Sequence, residues 1–375
     1  MKKIAIIVGT RPEAIKLAPL VQTLARQSAL SPVVCNTGQH EQLCGETLAY
    51  FGIKAAAKLD VMRANQGLAA LQGRLLRALD DFLASAAPDG VIVQGDTMSA
   101  FCGALAAFYR RLPVFHVEAG LRSRDLGEPF PEEALRQMLA RIAALHFAPT
   151  EAARKALLAE NIAADSIHVT GNTVIDALDS LTETALDAAR QRLEQLLGGT
   201  GPLVLVTVHR RENHGPRLGR ILRAVRALSG QFPACRFLLP VHPNPNVGEA
   251  VRAALSGQAN VILTQPLSYP EMVYAMRHAV LALSDSGGIQ EEAPSFGLPL
   301  LVLRYETERR EGVERGLAKL VGADTETIIA EARAVLDSPR NRCRPPANPY
   351  GDGMASRRIA TLLAKFYSMQ KGGTP

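Results

Sequence analysis

Val280-Leu-Ala-Leu-Ser-Asp-Ser-Gly-Gly-Ile-Gln-Glu-Glu-Ala-Pro294 contains an apolar run, a glycine corner and the start of a helix-forming stretch. A second apolar run, Leu298 to Leu303, follows it. Strand, tight corner, helix and strand make up the repeating unit of a parallel sheet. Ser286, Gly287 and Gly288 fall at the corner. Two glycines let backbone approach a ligand closely, and the first N–H groups of a helix point outward with the positive end of its dipole. Such a corner can seat a phosphate, with Glu291 or Glu292 one turn inside to grip ribose hydroxyls. The same residues also read as a serine N-cap with acidic residues in the first turn, which stabilises a helix without any ligand.

Working outward, similar runs recur along all 375 residues. Ile4–Val8, Val33–Asn36, Val91–Gln94, Val114–Val117, Leu145–Ala148 and Ile167–Val169 form a first series. Leu203–Val208, Phe237–Val241, Val261–Leu263, Val280–Leu283 and Leu300–Leu303 form a second. Helix-period segments such as Leu68/Leu71/Leu75/Leu79/Phe82 lie between them. Strands apolar throughout and separated by helices imply parallel sheets covered on both faces. We expect two sheets of five or six strands, in two Rossmann-like domains facing a central cleft. The first domain takes residues 1–170 and the second 171–354, with a long helical stretch from Thr173 to Leu197 just past the break. The loop Asn348-Pro-Tyr-Gly-Asp-Gly353 precedes a final amphipathic helix, about residues 355–375.

Bulk properties narrow the function. The net charge of +6 comes from isolated basic pairs such as Arg210-Arg211 and Arg357-Arg358, with no basic run and no interleaved aromatics. That pattern argues against nucleic acid and suits small anionic substrates. No run reaches the roughly 18 apolar residues of a membrane span. The N-terminal Met1-Lys-Lys-Ile-Ala-Ile-Ile-Val-Gly9 is too short in its apolar part for a signal peptide and reads as a buried strand. Cys35, Cys44, Cys102, Cys235 and Cys343 are odd in number, scattered and without a Cys-x-x-Cys pair. Neither a disulfide framework nor a zinc site is indicated, and a reducing cytoplasm fits.

In open α/β sheets ligands sit beyond the carboxyl ends of the strands. Nearly every run here ends in polar residues: Thr10-Arg11, Gln39-His40, Asp96-Thr97, Glu118, Asn172, His209-Arg210, His242 and Ser284-Asp-Ser286. Two such faces opposed across a cleft would make one shared site. Gly9-Thr-Arg-Pro-Glu-Ala-Ile-Lys16 sets Arg11 and Lys16 at a strand end, where an anion could bind. It is neither a Walker loop nor Gly-x-Gly-x-x-Gly, so NTP hydrolysis and dinucleotide redox chemistry lose support. Asp96, Glu118 and Glu132 are carboxylates placed for removing and delivering protons. Glu133 is expected only to cap the helix after Pro131, and Arg136 suits a helical ion pair one turn after Glu132. His116 lies inside its strand and reads as core. His209 could donate to a diphosphate or serve as a structural histidine.

Together these stretches resemble the non-hydrolysing UDP-N-acetylglucosamine 2-epimerases. The resemblance is carried by Gly9–Lys16, Gly95-Asp-Thr97, His116-Val-Glu-Ala-Gly-Leu-Arg122, Pro131-Glu-Glu133 and Gly171-Asn-Thr-Val-Ile-Asp-Ala177. His209-Arg-Arg-Glu-Asn213, Asp285–Ser295, Thr307-Glu-Arg309 and Asn348–Gly353 complete it, in order along the chain. It implies a GT-B-like fold, with the last helix returning to the first domain. It also implies reversible conversion of UDP-GlcNAc to UDP-ManNAc, without metal or nicotinamide, by a homodimer. UDP would leave to give an enzyme-bound 2-acetamidoglucal and return after protonation of the opposite C2 face.

Carried over by position, Arg11, Lys16, Asp96, Glu118, Glu132, Arg136, His209 and Arg309 match active-site positions. Ser286, Gly287 and Gly288 match the diphosphate seat and Glu292 the ribose clamp. Leu267 and Met272 join the UDP contacts, Met272 near the uracil. Gln39, His40, Gln42, Arg210 and His242 fall where the family binds an activating UDP-GlcNAc. The resemblance also points to supply of ManNAc units for surface polysaccharide. Rival readings are an epimerase of a modified UDP-hexosamine, a hydrolysing epimerase releasing ManNAc and UDP, a GT-B glycosyltransferase, and a non-catalytic nucleotide-sugar sensor.

Overall fold

The computed structural model describes residues 1–63, 66–241, 245–338 and 347–371. The chain divides into two compact units. The first comprises Met1–Ser180 and Tyr350–Pro375, the second Leu181–Pro349.

The first unit holds seven parallel strands: β1 (Lys2–Val8), β2 (Leu30–Asn36), β3 (Ala57–Lys58), β4 (Gly90–Gln94), β5 (Val114–Val117), β6 (Leu145–Ala148) and β7 (Ile167–Val169). Their order is β3-β2-β1-β4-β5-β6-β7. Both faces are buried, and β1 shows how. Ile4, Ile6 and Val8 join Leu17, Leu20 and Leu24 of the helix Arg11–Ala25, while Ala5 and Ile7 pack among Leu75, Leu79 and Cys102 on the opposite side. Alternate residues of a strand point to opposite faces, so a run apolar at every position must be covered twice.

The second unit holds six parallel strands: β8 (Leu203–Thr207), β9 (Arg236–Pro240), β10 (Val261–Thr264), β11 (Ala279–Ser284), β12 (Leu300–Val302) and β13 (Ala318–Leu320), in the order β10-β9-β8-β11-β12-β13. Both sheets therefore reverse their direction of growth at one place, between β1 and β4 in the first unit and between β8 and β11 in the second.

The sheets of five or six strands become seven and six because β3 and β13, of two and three residues, lack an apolar run. The stretch from Thr173 to Leu197 is two helices, Thr173–Asp179 and Glu183–Leu197. Thr182 starts the second by accepting a hydrogen bond from the Ala185 N–H at 3.3 Å. The first unit extends to Ser180, beyond residue 170, since the helix Thr173–Asp179 packs on Arg11–Ala25.

That short helix also holds the end of the chain. Asp176 accepts from the Ala355 and Ser356 N–H groups at 3.2 and 2.7 Å, capping the helix Ala355–Lys371 from outside. Ile359, Ala360, Leu363 and Tyr367 of this helix enter the core beside Ile4 and Phe115, and the Tyr367 hydroxyl donates to the Asp89 carbonyl at 2.9 Å. No helix among the described residues is long and apolar enough to cross a membrane. Cys35, Cys44, Cys102 and Cys235 are buried free thiols. Burial pushes the first three up to about 12, which fits packing rather than reactivity.

Candidate active site

In the first unit the turns after β1, β2 and β4 crowd together at the switch point. A Cβ on Gly9 would stand 2.2 Å from Ser99 Oγ and 2.6 Å from Thr37 Oγ1, so only glycine fits. Thr37 Oγ1 and Ser99 Oγ are 2.8 Å apart, and Ser99 Oγ donates to Gln39 Oε1 at 2.7 Å. Glu13 closes the arrangement. One of its oxygens accepts from the N–H groups of Gly9 and Thr10 at 3.0 and 2.7 Å, the other from the Thr97 hydroxyl at 2.7 Å. Arg11 opens the helix beside this knot, half-buried.

Burial raises the Glu13 carboxyl from 4.5 to about 7, against the pull of those donors. Between these pH values the folded chain keeps a proton that the unfolded chain releases, so rising pH works against the fold. Glu13→Gln, which cannot ionise, should lack that slope. In urea unfolding followed from pH 4.5 to pH 7, wild type should lose up to about 3 kcal/mol relative to the variant. Parallel curves would refute the assignment.

Two ion pairs lie at the ends of β4 and β5. Lys16 Nζ meets Glu118 Oε2 in a contact buried on both sides, and Asn172 Nδ2 donates to the same oxygen at 3.3 Å. Glu118 takes a left-handed φ of 64°, a conformation that costs an ordinary residue about 1–2 kcal/mol. The following loop is well anchored. Ala119 N–H donates to the Phe147 carbonyl at 3.1 Å, and Arg122 grips Glu160 through Nε and Nη2 at 2.6 and 2.9 Å. Asp96 pairs with Arg136 Nη2 from the helix Glu132–Ile142. His116 lies in the core, where burial pushes it down to about 3, and its Nε2 lies 2.8 Å from the Gly95 carbonyl. A neutral ring donating there steadies the turn that carries Asp96.

Arg136 thus pairs with Asp96 in the turn after β4 and, at 3.4 Å, with Glu133. Glu133 is no mere helix cap. Fully buried, it accepts from the Ser123 and Arg124 N–H groups at 2.9 and 3.3 Å and so fixes the loop beyond Glu118. Glu132, the first residue of that helix, is half-buried. His40 and Gln42 are exposed at the mouth of the β2 turn, where Gln42 donates to Glu46 at 3.0 Å.

In the second unit Asp285 organises the switch point, a role its sequence position between two serines did not reveal. Fully buried, it accepts from the N–H groups of His209 at 3.1 and 3.0 Å and Arg210 at 2.9 Å, and from Asn213 Nδ2 at 3.0 Å. His209 Nδ1 lies 3.2 Å from Asp285 Oδ1, and its ring remains 39% exposed. Burial holds the imidazole below its ordinary value, opposed by the Asp285 carboxylate. Asp285 therefore ties the β8 loop to the serine–glycine corner after β11.

At that corner Ser286 precedes the short helix Gly287–Glu292. Ser284 Oγ accepts from the Ser286 N–H at 3.0 Å and lies 2.6 Å from Thr207 Oγ1. Behind the corner runs a buried ionic chain. Arg304 pairs with Glu212 at 2.6 Å and Glu308 at 3.0 Å, and Arg309 pairs with Glu308 and, at 2.7 Å, with Glu291. The Arg309 guanidinium packs on Gly287, where a Cβ would come 2.7 Å from Cζ. Glu291 is thus engaged by Arg309, whereas Glu292 lies beside Gly288, whose Cβ would stand 3.9 Å from Glu292 Oε2. Leu267 is buried and Met272, on the helix Tyr269–His278, half-buried. His242 lies outside the described residues.

Two parallel-sheet units, each with charged residues gathered at its own switch point, place the chain among Rossmann-type proteins that take ligands beyond their strand ends. A family model described as UDP-N-acetylglucosamine 2-epimerase matches residues 22–364. The UDP-N-acetylglucosamine 2-epimerase of Neisseria meningitidis serogroup A is 42% identical over 369 residues, covering 97% of this chain and 99% of the relative. That of Escherichia coli K12 is 44% identical over 368 residues, 96% and 98% of the two chains. Among solved structures, the Neisseria meningitidis enzyme bound to UDP-GlcNAc superposes with a TM-score of 0.92 at 41% identity, over 97% of this chain and 100% of that one. The Methanocaldococcus jannaschii enzyme in complex with UDP-GlcNAc and UDP gives 0.86 at 32%, over 97% and 99%. The chain belongs to the UDP-N-acetylglucosamine 2-epimerase family. Its two parallel-sheet α/β units match those of solved UDP-N-acetylglucosamine 2-epimerases along nearly the whole chain.

Proposed function

We propose that this chain interconverts UDP-GlcNAc and UDP-ManNAc without hydrolysing either. A carboxylate takes the C2 proton while the C1–O bond to UDP breaks, leaving 2-acetamidoglucal. A second acid then protonates the opposite C2 face, and a diphosphate oxygen re-forms the bond to C1. Every step moves a proton or UDP, and none moves a hydride. Asp96, Glu118 and Glu132 are the acid/base groups, with Lys16 and Arg136 holding two of them. Ser286, Gly287, Gly288, His209 and Arg309 hold the diphosphate, Glu292 the ribose, and Leu267 with Met272 the uracil. Arg11 meets the anionic substrate. The observation that carries this reading is the pair of carboxylate–cation contacts, Glu118–Lys16 and Asp96–Arg136, on strands next to the first switch point. A bound diphosphate would favour protonated His209, making it the donor that steadies the leaving group.

Gln39, His40, Gln42, Arg210 and His242 are proposed to bind a second, activating UDP-GlcNAc. The enzyme is taken to work as a cytoplasmic homodimer supplying ManNAc for surface polysaccharide.

The test is incubation with UDP-GlcNAc in D2O followed by NMR. UDP-ManNAc carrying deuterium at C2 is the expected product. Free ManNAc with UDP, or a sugar left unchanged, would overturn the reading. Started from UDP-ManNAc alone, the reaction should show a lag that added UDP-GlcNAc abolishes. A hyperbolic rate curve with no lag removes the activating site.

A further inference from the structure

We propose that Asn172 is a positioning residue for Glu118, orienting its carboxylate for proton transfer at the sugar. This inference rests on the reading of Glu118 as an acid/base group. Asn172 lies just beyond β7 as the N-cap of the helix Thr173–Asp179, a place where an asparagine ordinarily needs no further explanation. Its surroundings supply one. Asn172 Oδ1 accepts from the Val174 N–H at 3.0 Å, which turns the amide so that Nδ2 must face the other way. There it donates to Glu118 Oε2 at 3.3 Å, the same oxygen that meets Lys16. The Asn172 N–H donates to the Tyr350 carbonyl at 2.7 Å, and a Cβ on Gly351 would stand 3.2 Å from the Asn172 nitrogen. The residue is buried, 3% exposed, and held by main-chain contacts on both sides.

The consequence concerns which Glu118 oxygen does chemistry. Lys16 and Asn172 both converge on Oε2, so the carboxylate cannot rotate without losing two donors. A group that transfers protons to one atom of a bound sugar gains from such fixation. Lys16 holds Oε2 as a point charge on a flexible stem. The amide, rigid at its cap, adds a donor of fixed direction to the same oxygen.

The test uses full-length protein. Asn172→Ser keeps an oxygen able to cap the helix but is too short to reach Glu118. The kcat for UDP-GlcNAc epimerisation and the rate of solvent deuterium entry at C2 should fall together by about 10- to 100-fold. KM and UDP affinity should remain within about twofold, because neither reports this contact in the transition state. Asn172→Asp keeps both length and cap but presents a carboxylate to Glu118, and should fall at least as far. Wild-type kcat in both variants, alongside an inactive Glu118→Gln, would overturn the inference while leaving the catalytic reading intact. Loss of stability alone, with the folded fraction turning over at the wild-type rate, would also overturn it. Full activity in Glu118→Gln would refute the catalytic reading itself.

Discussion

Glu118→Gln should lower kcat by about a hundred- to ten-thousand-fold, the usual contribution of a positioned proton-transfer group. Deuterium entry at C2 should fall in parallel, while UDP should bind as in wild type, since the serine–glycine corner belongs to the other unit. The substitution also removes the carboxylate that faces a buried cation. Lys16 is 5% exposed, and removing the charge that faces it should destabilise the first unit by about 3–5 kcal/mol. This stability cost is separable from the chemistry. A double variant, Lys16→Met with Glu118→Gln, replaces the pair by groups that need no counter-charge and should recover much of the lost stability. It should remain inactive. Recovery of epimerisation in the double variant would show that Glu118 acts through stability alone.

The second large effect lies at Gly287. An alanine methyl there would fall 2.7 Å from Arg309 Cζ and 2.9 Å from both terminal nitrogens. The guanidinium cannot simply swing away, because Glu291 and Glu308 hold it in a buried site. Gly287→Ala should therefore break that contact or shift the corner, costing about 2–4 kcal/mol and weakening UDP binding at least about tenfold. Gly288→Ala is the control for stability alone, since Gly288 also belongs to the proposed diphosphate seat. Its new methyl would meet only Ser286 Oγ at 3.8 Å and Glu292 Oε2 at 3.9 Å. Thermal unfolding should separate the two variants clearly, with Gly287→Ala the less stable, and titration with UDP should show Gly287→Ala binding more weakly than wild type. Equal stability of both variants would mean that Arg309 does not depend on that glycine.

Much of this was legible in the residues. Buried strands of a doubly covered sheet are apolar at every position, so Ile4–Val8 or Leu203–Val208 stand out without any partner being known. Polar residues at their carboxyl ends marked the candidate sites, because ligands of open α/β sheets sit beyond those ends. Edge strands were hidden: Ala57–Lys58 and Ala318–Leu320 pair on one side only and carry no apolar run. The break at Ser180 was hidden by the Ala- and Leu-rich residues on either side, although Thr182 followed by Glu183 is an N-cap signal. Side-chain partners far apart in the chain were the least readable. Arg136 follows Glu132 by one turn, which suggests a local pair, and nothing in that spacing tells that it also reaches Asp96, 40 residues away. Asp285 and Glu133 look like ordinary loop and first-turn acids until the backbone N–H groups they satisfy are seen.

The return of the last helix has a consequence for how the molecule is made. A chain emerging from the ribosome presents residues 1–180 first, then the whole of residues 181–349, and only then Tyr350 onward. Ile359, Leu363 and Tyr367 complete the core on one face of the first sheet, beside Phe115, and Asp176 has no helix to cap until Ala355 and Ser356 arrive. The unit begun first is thus completed last. During synthesis the second unit can finish while the first still exposes an apolar face beside Phe115, which stays open until the helix Ala355–Lys371 docks on it.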